Sequence, residues 1–322
     1  MTRPPGFSLP FTAQRIVIGA GIHDALADYI AARLPAVEIR HAEPAAITPA
    51  DLAWADSYIG FRRPVQLQTM GNVQWVHSTG AGVDGWLNGP ALEPGLLLTR
   101  SPELFGPMIA EWAVARIFAI QLQLVPLLAA QQERRWAHGD IPRVAGTRAL
   151  LVGTGDIGRS IATALNALGV HVTGVCRSGR SDHPAFRAVH AIEALPELVG
   201  AADWIICSLP DTPNTRGLMS RELLSHCRGA VLLNAGRGAV VDEPAIPEAL
   251  DSGWLRAAAL DVFAEEPLPP SSPLWQDPRV LISPHVSGLT TVEGAGDGFL
   301  ACREQLARGE LPIWAIDRTR GY

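Results

Sequence analysis

Cysteine is scarce in this 322-residue chain: Cys176, Cys207, Cys227 and Cys302 are scattered, with no C-x-x-C pair. That excludes a cysteine-built zinc or disulfide framework and fits reduced thiols in a cytoplasmic protein. A basic surplus is lacking too. The formal net charge is -6, which argues against a nucleic-acid partner. No basic-then-apolar segment opens the chain, and no apolar run approaches the length that crosses a bilayer; no membrane partner is expected. Low-complexity tracts and short solenoid-type repeats are absent as well. What is present, 48% hydrophobic and 18% charged residues, is a globular composition, and the length suits two domains.

The stretch Gly146 to Arg177 organises the rest. Ala149 to Val152 is a short apolar run, as a buried parallel strand should be. Gly153, Gly155 and Gly158 follow at G-x-G-x-x-G spacing, and Ile157, Ile161, Leu165 and Leu168 then recur at helical period. A second strand, Val170 to Val175, closes the unit. Such glycines serve a tight turn, close backbone approach to a pyrophosphate, and close helix–strand packing. The helix start adds unpaired N–H groups and partial positive charge. The motif in this strand–turn–helix context points to a dinucleotide, with Gly153, Gly155, Asp156, Ile157 and Gly158 at the phosphate turn.

One further absence bears on which dinucleotide. An NAD site usually carries Asp or Glu about 20 residues after the glycines, to accept from the ribose 2′-OH. Here the strand runs into Cys176-Arg177-Ser178-Gly179-Arg180. Arg177 and Arg180 can pair with a 2′-phosphate, and Ser178 can donate to it. This favours NADP(H), with NAD admissible; the alternative is that these arginines are solvated loop residues.

Along the chain, strands are expected at Arg15 to Ile18, Val37 to Arg40, Ser57 to Phe61, Gln74 to His77 and Leu96 to Thr99, and then at 148–152, 170–175, 204–209, 230–234, 257–261 and 280–283. Helices alternate with them, including Asp24 to Leu34, a long apolar one at Pro107 to Leu124, and one near Val292 to Arg308. Gly19 to Asp24 imitates a dinucleotide turn but lacks the third glycine, and reads as a plain strand-to-helix turn. The fold class is α/β with doubly wound parallel sheets. The expected division is residues 1–99 as a substrate domain, 100–285 as the dinucleotide-binding domain, and 286–322 returning to the first, which is thereby discontinuous.

Four stretches after strands carry polar groups where open α/β sheets bind ligands. Thr79-Gly80-Ala81-Gly82 offers backbone N–H groups suited to a small carboxylate, or is an ordinary turn. Asn234 to Gly238 carries Arg237, Asp261 to Leu268 carries Glu265 and Glu266, and Ser283 to Gly288 carries His285. Taken singly, the arginine could be a surface ion pair, the glutamates a solvated pair and the histidine a turn residue.

Together, in this order, the motifs resemble those of the NAD(P)-dependent D-isomer-specific 2-hydroxyacid dehydrogenases, in the manner of glyoxylate/hydroxypyruvate reductases. The likeness runs through Gly80 to Asp84, Phe105-Gly106 with Ala110-Glu111, Gly153 to Gly158, Leu209-Pro210 to Gly217, Asn234 to Gly238, Asp261 to Leu268 and Ser283 to Gly288. It implies two Rossmann-like domains and a catalytic Arg237, Glu266 and His285. Glu266 is chosen over Glu265 because it directly precedes Pro267. The resemblance further implies cofactor contacts from Pro210, Thr215, Ala235, Asp261 and Gly288, and a homodimer. Trp136 resembles a tryptophan that some of these reductases present across the dimer, or is a packing aromatic. The expected substrate is a small 2-oxo or 2-hydroxy acid: a protonated His285 can supply the proton, Glu266 can orient it, and Arg237 can bind the carboxylate and polarise the carbonyl. No metal is expected. The competing reading is a corepressor-like sensor of dinucleotides with the same fold, which the retained Arg237, Glu266 and His285 oppose.

Overall fold

The computed structural model describes residues 3–101, 105–318 and 320–321. The chain divides into two compact units, residues 1–105 with 290–322, and residues 106–289. The sequence places these divisions at 99/100 and 285/286.

The first unit contains β1 (Arg15–Gly19), α1 (His23–Arg33), β2 (Glu38–Ala42), α2 (Pro49–Trp54), β3 (Ser57–Ile59), β4 (Trp75–Ser78), α3 (Asp84–Leu87) and β5 (Leu97–Arg100). The second contains α4 (Phe105–Gln121, whose first residue belongs to the first unit), α5 (Leu124–Gln132), β6 (Arg148–Val152), α6 (Asp156–Ala167), β7 (His171–Val175), β8 (Ala188–His190), α7 (Leu195–Leu198), β9 (Trp204–Cys207), α8 (Arg221–Ser225), β10 (Ala230–Asn234), α9 (Ile246–Asp251), β11 (Leu255–Leu260) and β12 (Val280–Ile282). The final helix, α10 (Val292–Ala307), belongs to the first unit.

Both sheets are parallel among the described residues. The first runs β2-β1-β3-β4-β5 and the second β12-β11-β10-β9-β6-β7-β8. Their inner strands are buried on both faces and accordingly apolar, as β6, β9 and β10 show, whereas the edge strands β2 and β8 are exposed or half-buried. In the second sheet the order reverses direction between β6 and β9, which makes the carboxyl ends of those two strands a switch point. The fold class read from the sequence, α/β with doubly wound parallel sheets, is the one observed.

Two elements differ from expectation. The long apolar helix does not run from 107 to 124. It spans Phe105–Gln121, breaks where Gln123 takes a left-handed φ of 54°, and resumes as α5 bent by 58°. No single helix among the described residues is long and apolar enough to cross a membrane. The short edge strand β8 has only three residues and too little pattern to be seen.

The returning segment is packed into the first unit. Phe299 of α10 stacks on Trp75 of β4, centroids 4.6 Å apart, and both are fully buried. Beside them His77 is buried, bracketed at 2.7 Å on each ring nitrogen by the hydroxyls of Thr99 and Ser101. Trp75 Nε1–H also donates to Thr99 Oγ1. Burial pushes the His77 imidazole down to about 3, because the charged form loses its hydration. The ordinary, unfolded value is about 6.5. Between these values the unfolded chain binds the extra proton, so stability falls as the pH drops from about 6.5 towards 3. We predict that the urea midpoint of the wild type falls more steeply between pH 7 and 4 than that of His77→Gln. Equal slopes would show that His77 is not held neutral.

Candidate active site

The turn between β6 and α6 is built by close approach. Gly153 has a φ of +117°, and a Cβ at Gly158 would collide with the carbonyl of Gly153. Gly155, the residue preceding α6, is exposed, and a Cβ there meets nothing within 4 Å. Backbone is thus bared at a helix N-terminus, where N–H groups and dipole favour an anion. Asp156 and Ile157 open the helix. Beyond β7, Arg177, Ser178 and Arg180 are exposed, and the Ser178 hydroxyl braces the turn against Arg180.

Three loops at the carboxyl ends of β10, β11 and β12 carry the ionisable candidates. After β12 the chain turns sharply at His285, whose φ is 53°, a region rare for residues other than glycine. Its N–H donates to the carbonyls of Asp261 and Ser283. The next two N–H groups, of Val286 and Ser287, donate to the Asp261 carboxylate at 3.0 and 2.9 Å, and the Ser283 hydroxyl donates to it at 2.6 Å. Asp261 is fully buried, so this turn satisfies it. Trp112 of α4 donates in turn to Ser283 Oγ at 2.9 Å.

The His285 ring, held this way, places Nδ1 2.8 Å from Glu266 Oε2. The other oxygen, Oε1, accepts from the Phe263 N–H at 3.0 Å. The carboxylate accepts the Nδ1 proton, which leaves Nε2 to exchange a proton with a bound molecule. The paired side chains are 42% and 37% exposed, open to a ligand without being swamped by water.

Arg237 is carried by the loop after β10. Asn234, buried, accepts from the Gly236 N–H and donates Nδ2–H to the Arg237 carbonyl. A Cβ at Gly238 would overlap the main chain of Phe263, so this loop lies against the segment that bears Glu266. Arg237 Nη1 donates to the Gly236 carbonyl at 2.8 Å. The Asp261 N–H donates to the Asn234 carbonyl. A short hydrogen-bonded chain, Asn234 to Asp261 to His285, therefore ties the arginine loop to the histidine turn.

A polar triad after parallel strands, beside a glycine turn at a switch point, is the layout of a dinucleotide enzyme. A family model, D-isomer specific 2-hydroxyacid dehydrogenase, NAD binding domain, matches residues 114–287, more than half the chain. The chain belongs to this dehydrogenase family. It is therefore an enzyme, an oxidoreductase of the D-2-hydroxyacid dehydrogenases. It is 31% identical to glyoxylate/hydroxypyruvate reductase A of Serratia proteamaculans, over 90% of this chain and 93% of that protein. Among solved structures, a D-isomer specific 2-hydroxyacid dehydrogenase of Xanthobacter autotrophicus Py2, in complex with NADPH and MES, superposes with a TM-score of 0.88 at 29% identity, covering 97% of this chain and 100% of that one. An NADPH-dependent glyoxylate/hydroxypyruvate reductase of Sinorhizobium meliloti, in complex with NADP and sulfate, gives 0.84 at 28% identity, over 96% of this chain and 100% of that one.

In this dehydrogenase the other expected contacts fall as follows. Thr215 is buried, and its hydroxyl donates to the Pro210 carbonyl at 2.6 Å and takes the Thr212 N–H at 2.9 Å, so it braces the loop after β9. Ala235 is buried, its N–H on the Cys207 carbonyl. Gly288 ends the histidine turn and is partly buried. In the first unit, the carbonyls of Thr79, Ala81 and Gly82 accept from Thr290, Arg100 and Ser78. Gly80 N–H makes a long contact with Ser78 Oγ. Trp136 is 88% exposed, its indole N–H on His138 Nε2. Sequence reasoning missed Asn234, Ser283 and Trp112 as supports; the apolar-then-polar step at the strand end was the only signal Asn234 and Ser283 gave, and Trp112, inside the apolar α4, gave none.

Asp261→Ala would leave the buried Ser287 N–H, the partly buried Val286 N–H and the Ser283 hydroxyl without their acceptor. An unsatisfied buried group costs about 1–3 kcal/mol. We predict a fall in stability of at least that size by urea unfolding, and a loss of turnover larger than any loss of cofactor affinity. A variant with wild-type kcat would show that the turn does not need this carboxylate.

Proposed function

We propose that this enzyme reduces a small 2-oxo acid to the D-2-hydroxy acid, with NADP(H) preferred over NAD(H). The observation that carries the reading is the 2.8 Å His285–Glu266 pair on a sheet end that also bears Arg237. Support comes from the Serratia and Sinorhizobium relatives, named glyoxylate/hydroxypyruvate reductases, and from the NADPH and NADP in the Xanthobacter and Sinorhizobium structures.

The residues present fit a dinucleotide. Bared backbone at Gly155 and the first turn of α6 suit a pyrophosphate. Exposed Arg177 and Arg180, with Ser178 between them, suit a 2′-phosphate by charge-assisted hydrogen bonds. When bound, the reduced nicotinamide supplies the hydride. His285 delivers a proton from Nε2 to the nascent alkoxide while Glu266 holds Nδ1 and stabilises the imidazolium. Arg237 binds the substrate carboxylate and polarises its carbonyl. In the first unit, Thr79 to Gly82 form a loop suited to a small carboxylate through backbone N–H groups.

The enzyme acts as a homodimer in this reading. Leu122, Leu124, Val125, Leu128 and Trp136 are large apolar side chains left exposed on α5 and its flanks. A run of this kind marks an interaction surface, and a second copy covers it isologously. Light scattering at micromolar concentration should give twice the 34.4 kDa chain mass; the chain mass itself would overturn the assembly.

The activity is tested by following cofactor oxidation over a panel of 2-oxo acids with NADPH and NADH. Turnover is expected with glyoxylate or hydroxypyruvate, and none with any member would overturn the reading. His285→Ala should lower kcat about 10²–10⁴-fold with cofactor affinity nearly intact. Arg177→Ala should weaken NADPH alone. A charge-assisted hydrogen bond contributes roughly 1.5–3 kcal/mol, about ten- to a hundredfold in affinity. An equal loss for both cofactors would show that this loop is no phosphate site.

A further inference from the structure

The carboxyl end of the first sheet holds a second cluster of ionisable side chains. β2 is an edge strand, and His41 lies next to its last residue, in register with Ile18 of β1. β1 then ends at Gly19, and the chain turns into α1, whose first two residues are His23 and Asp24. The turn brings His23 Nδ1 to 3.4 Å from His41 Nδ1. Asp24 Oδ1 sits 2.9 Å from the first and 3.0 Å from the second.

These three atoms form a triangle of nearly the size that a small cation requires. A tetrahedral metal about 2.0–2.1 Å from each ligand atom spaces those atoms roughly 3.3–3.4 Å apart. Two protons, one on each imidazole nitrogen, can serve this arrangement, because a carboxylate oxygen accepts two N–H donors; with the protons gone, three lone pairs converge on one point. One divalent cation replaces both and satisfies all three lone pairs.

A second feature points the same way. On the far side of the His23 ring, Nε2 lies 3.6 Å from Glu43 Oε1. A carboxylate on this side orients a metal-binding ring and raises its basicity once it closes to hydrogen-bond distance. His23 has a side chain only 16% exposed, whereas Asp24 is 79% exposed. The histidine is thus the more enclosed of the two, and Asp24 stands on the solvent side.

We propose that His23, Asp24 and His41 form a divalent transition-metal site, with Glu43 as its outer carboxylate. Two imidazoles and one carboxylate suit Zn²⁺, and Ni²⁺ or Cu²⁺ by the same chemistry, rather than Mg²⁺ or Ca²⁺, which take oxygen ligands. A metal there fastens the edge strand β2 to the start of α1, so its expected effect is on the stability of the first unit.

The test uses full-length protein without an affinity tag, dialysed against chelator and then titrated with Zn²⁺ calorimetrically. One Zn²⁺ per chain is expected. At about 100 times the Kd, Tm should rise by about 2–5 °C, and Mg²⁺ at the same concentration should leave it unchanged. His23→Gln and His41→Gln, both conservative and near the surface, should each weaken Zn²⁺ at least tenfold, while His285→Gln should not. Absence of saturable binding, or binding that survives both His23→Gln and His41→Gln, would overturn the site.

Discussion

A carboxylate can be buried without penalty only where donors fill its lone pairs, and Asp261 meets that condition at the end of β11. Its two oxygens take a hydroxyl and two successive main-chain N–H groups from one turn. The requirement shapes the turn: successive N–H groups can converge on one acceptor only if the backbone curls tightly, and His285 accordingly sits at positive φ. The imidazole direction follows from that curl, and the meeting with Glu266 follows from the direction. Through its own N–H, Asp261 also holds Asn234, whose side chain organises the Arg237 loop. A residue that performs no proton transfer thus sets the places of three that are proposed to act.

The two units use one plan for different ends. Each has a parallel sheet whose carboxyl edge exposes loop backbone and strand-terminal side chains, because helices cover the faces and leave the ends open. In the second unit that edge holds the glycine turn and the three ionisable loops. In the first, one strand end leads from the buried His77 into the Ser78 to Gly82 loop, and another gathers His23, Asp24 and His41. The interiors are alike in being apolar, with few polar groups, among them His77, which Thr99 and Ser101 satisfy.

Much of this was legible from residue order. The dinucleotide turn was visible because its glycines are demanded locally, by a positive φ at Gly153 and a close approach at Gly158. The apolar strands were visible because burial on both faces leaves little room for polar residues. Other features were hidden. β8 is too short to have a period. The break between α4 and α5 turns on one left-handed residue, Gln123, in a sequence that is apolar throughout. The meeting of His23 with His41 depends on the register of β1 against β2, and nothing in 18 residues of separation announces it.

By itself the sequence determined the class of the fold, the phosphate turn and the chemical types available at each strand end, since each rests on neighbours in the chain: a period, a spacing, a glycine. Only the tertiary structure decided which groups meet. The His285–Glu266 contact, the burial of Asp261, the support from Trp112 and the chain through Asn234 each join segments far apart in sequence. Their geometry is set by strand register and by how loops pack over the sheet end, and those are properties of the folded whole that no local pattern encodes.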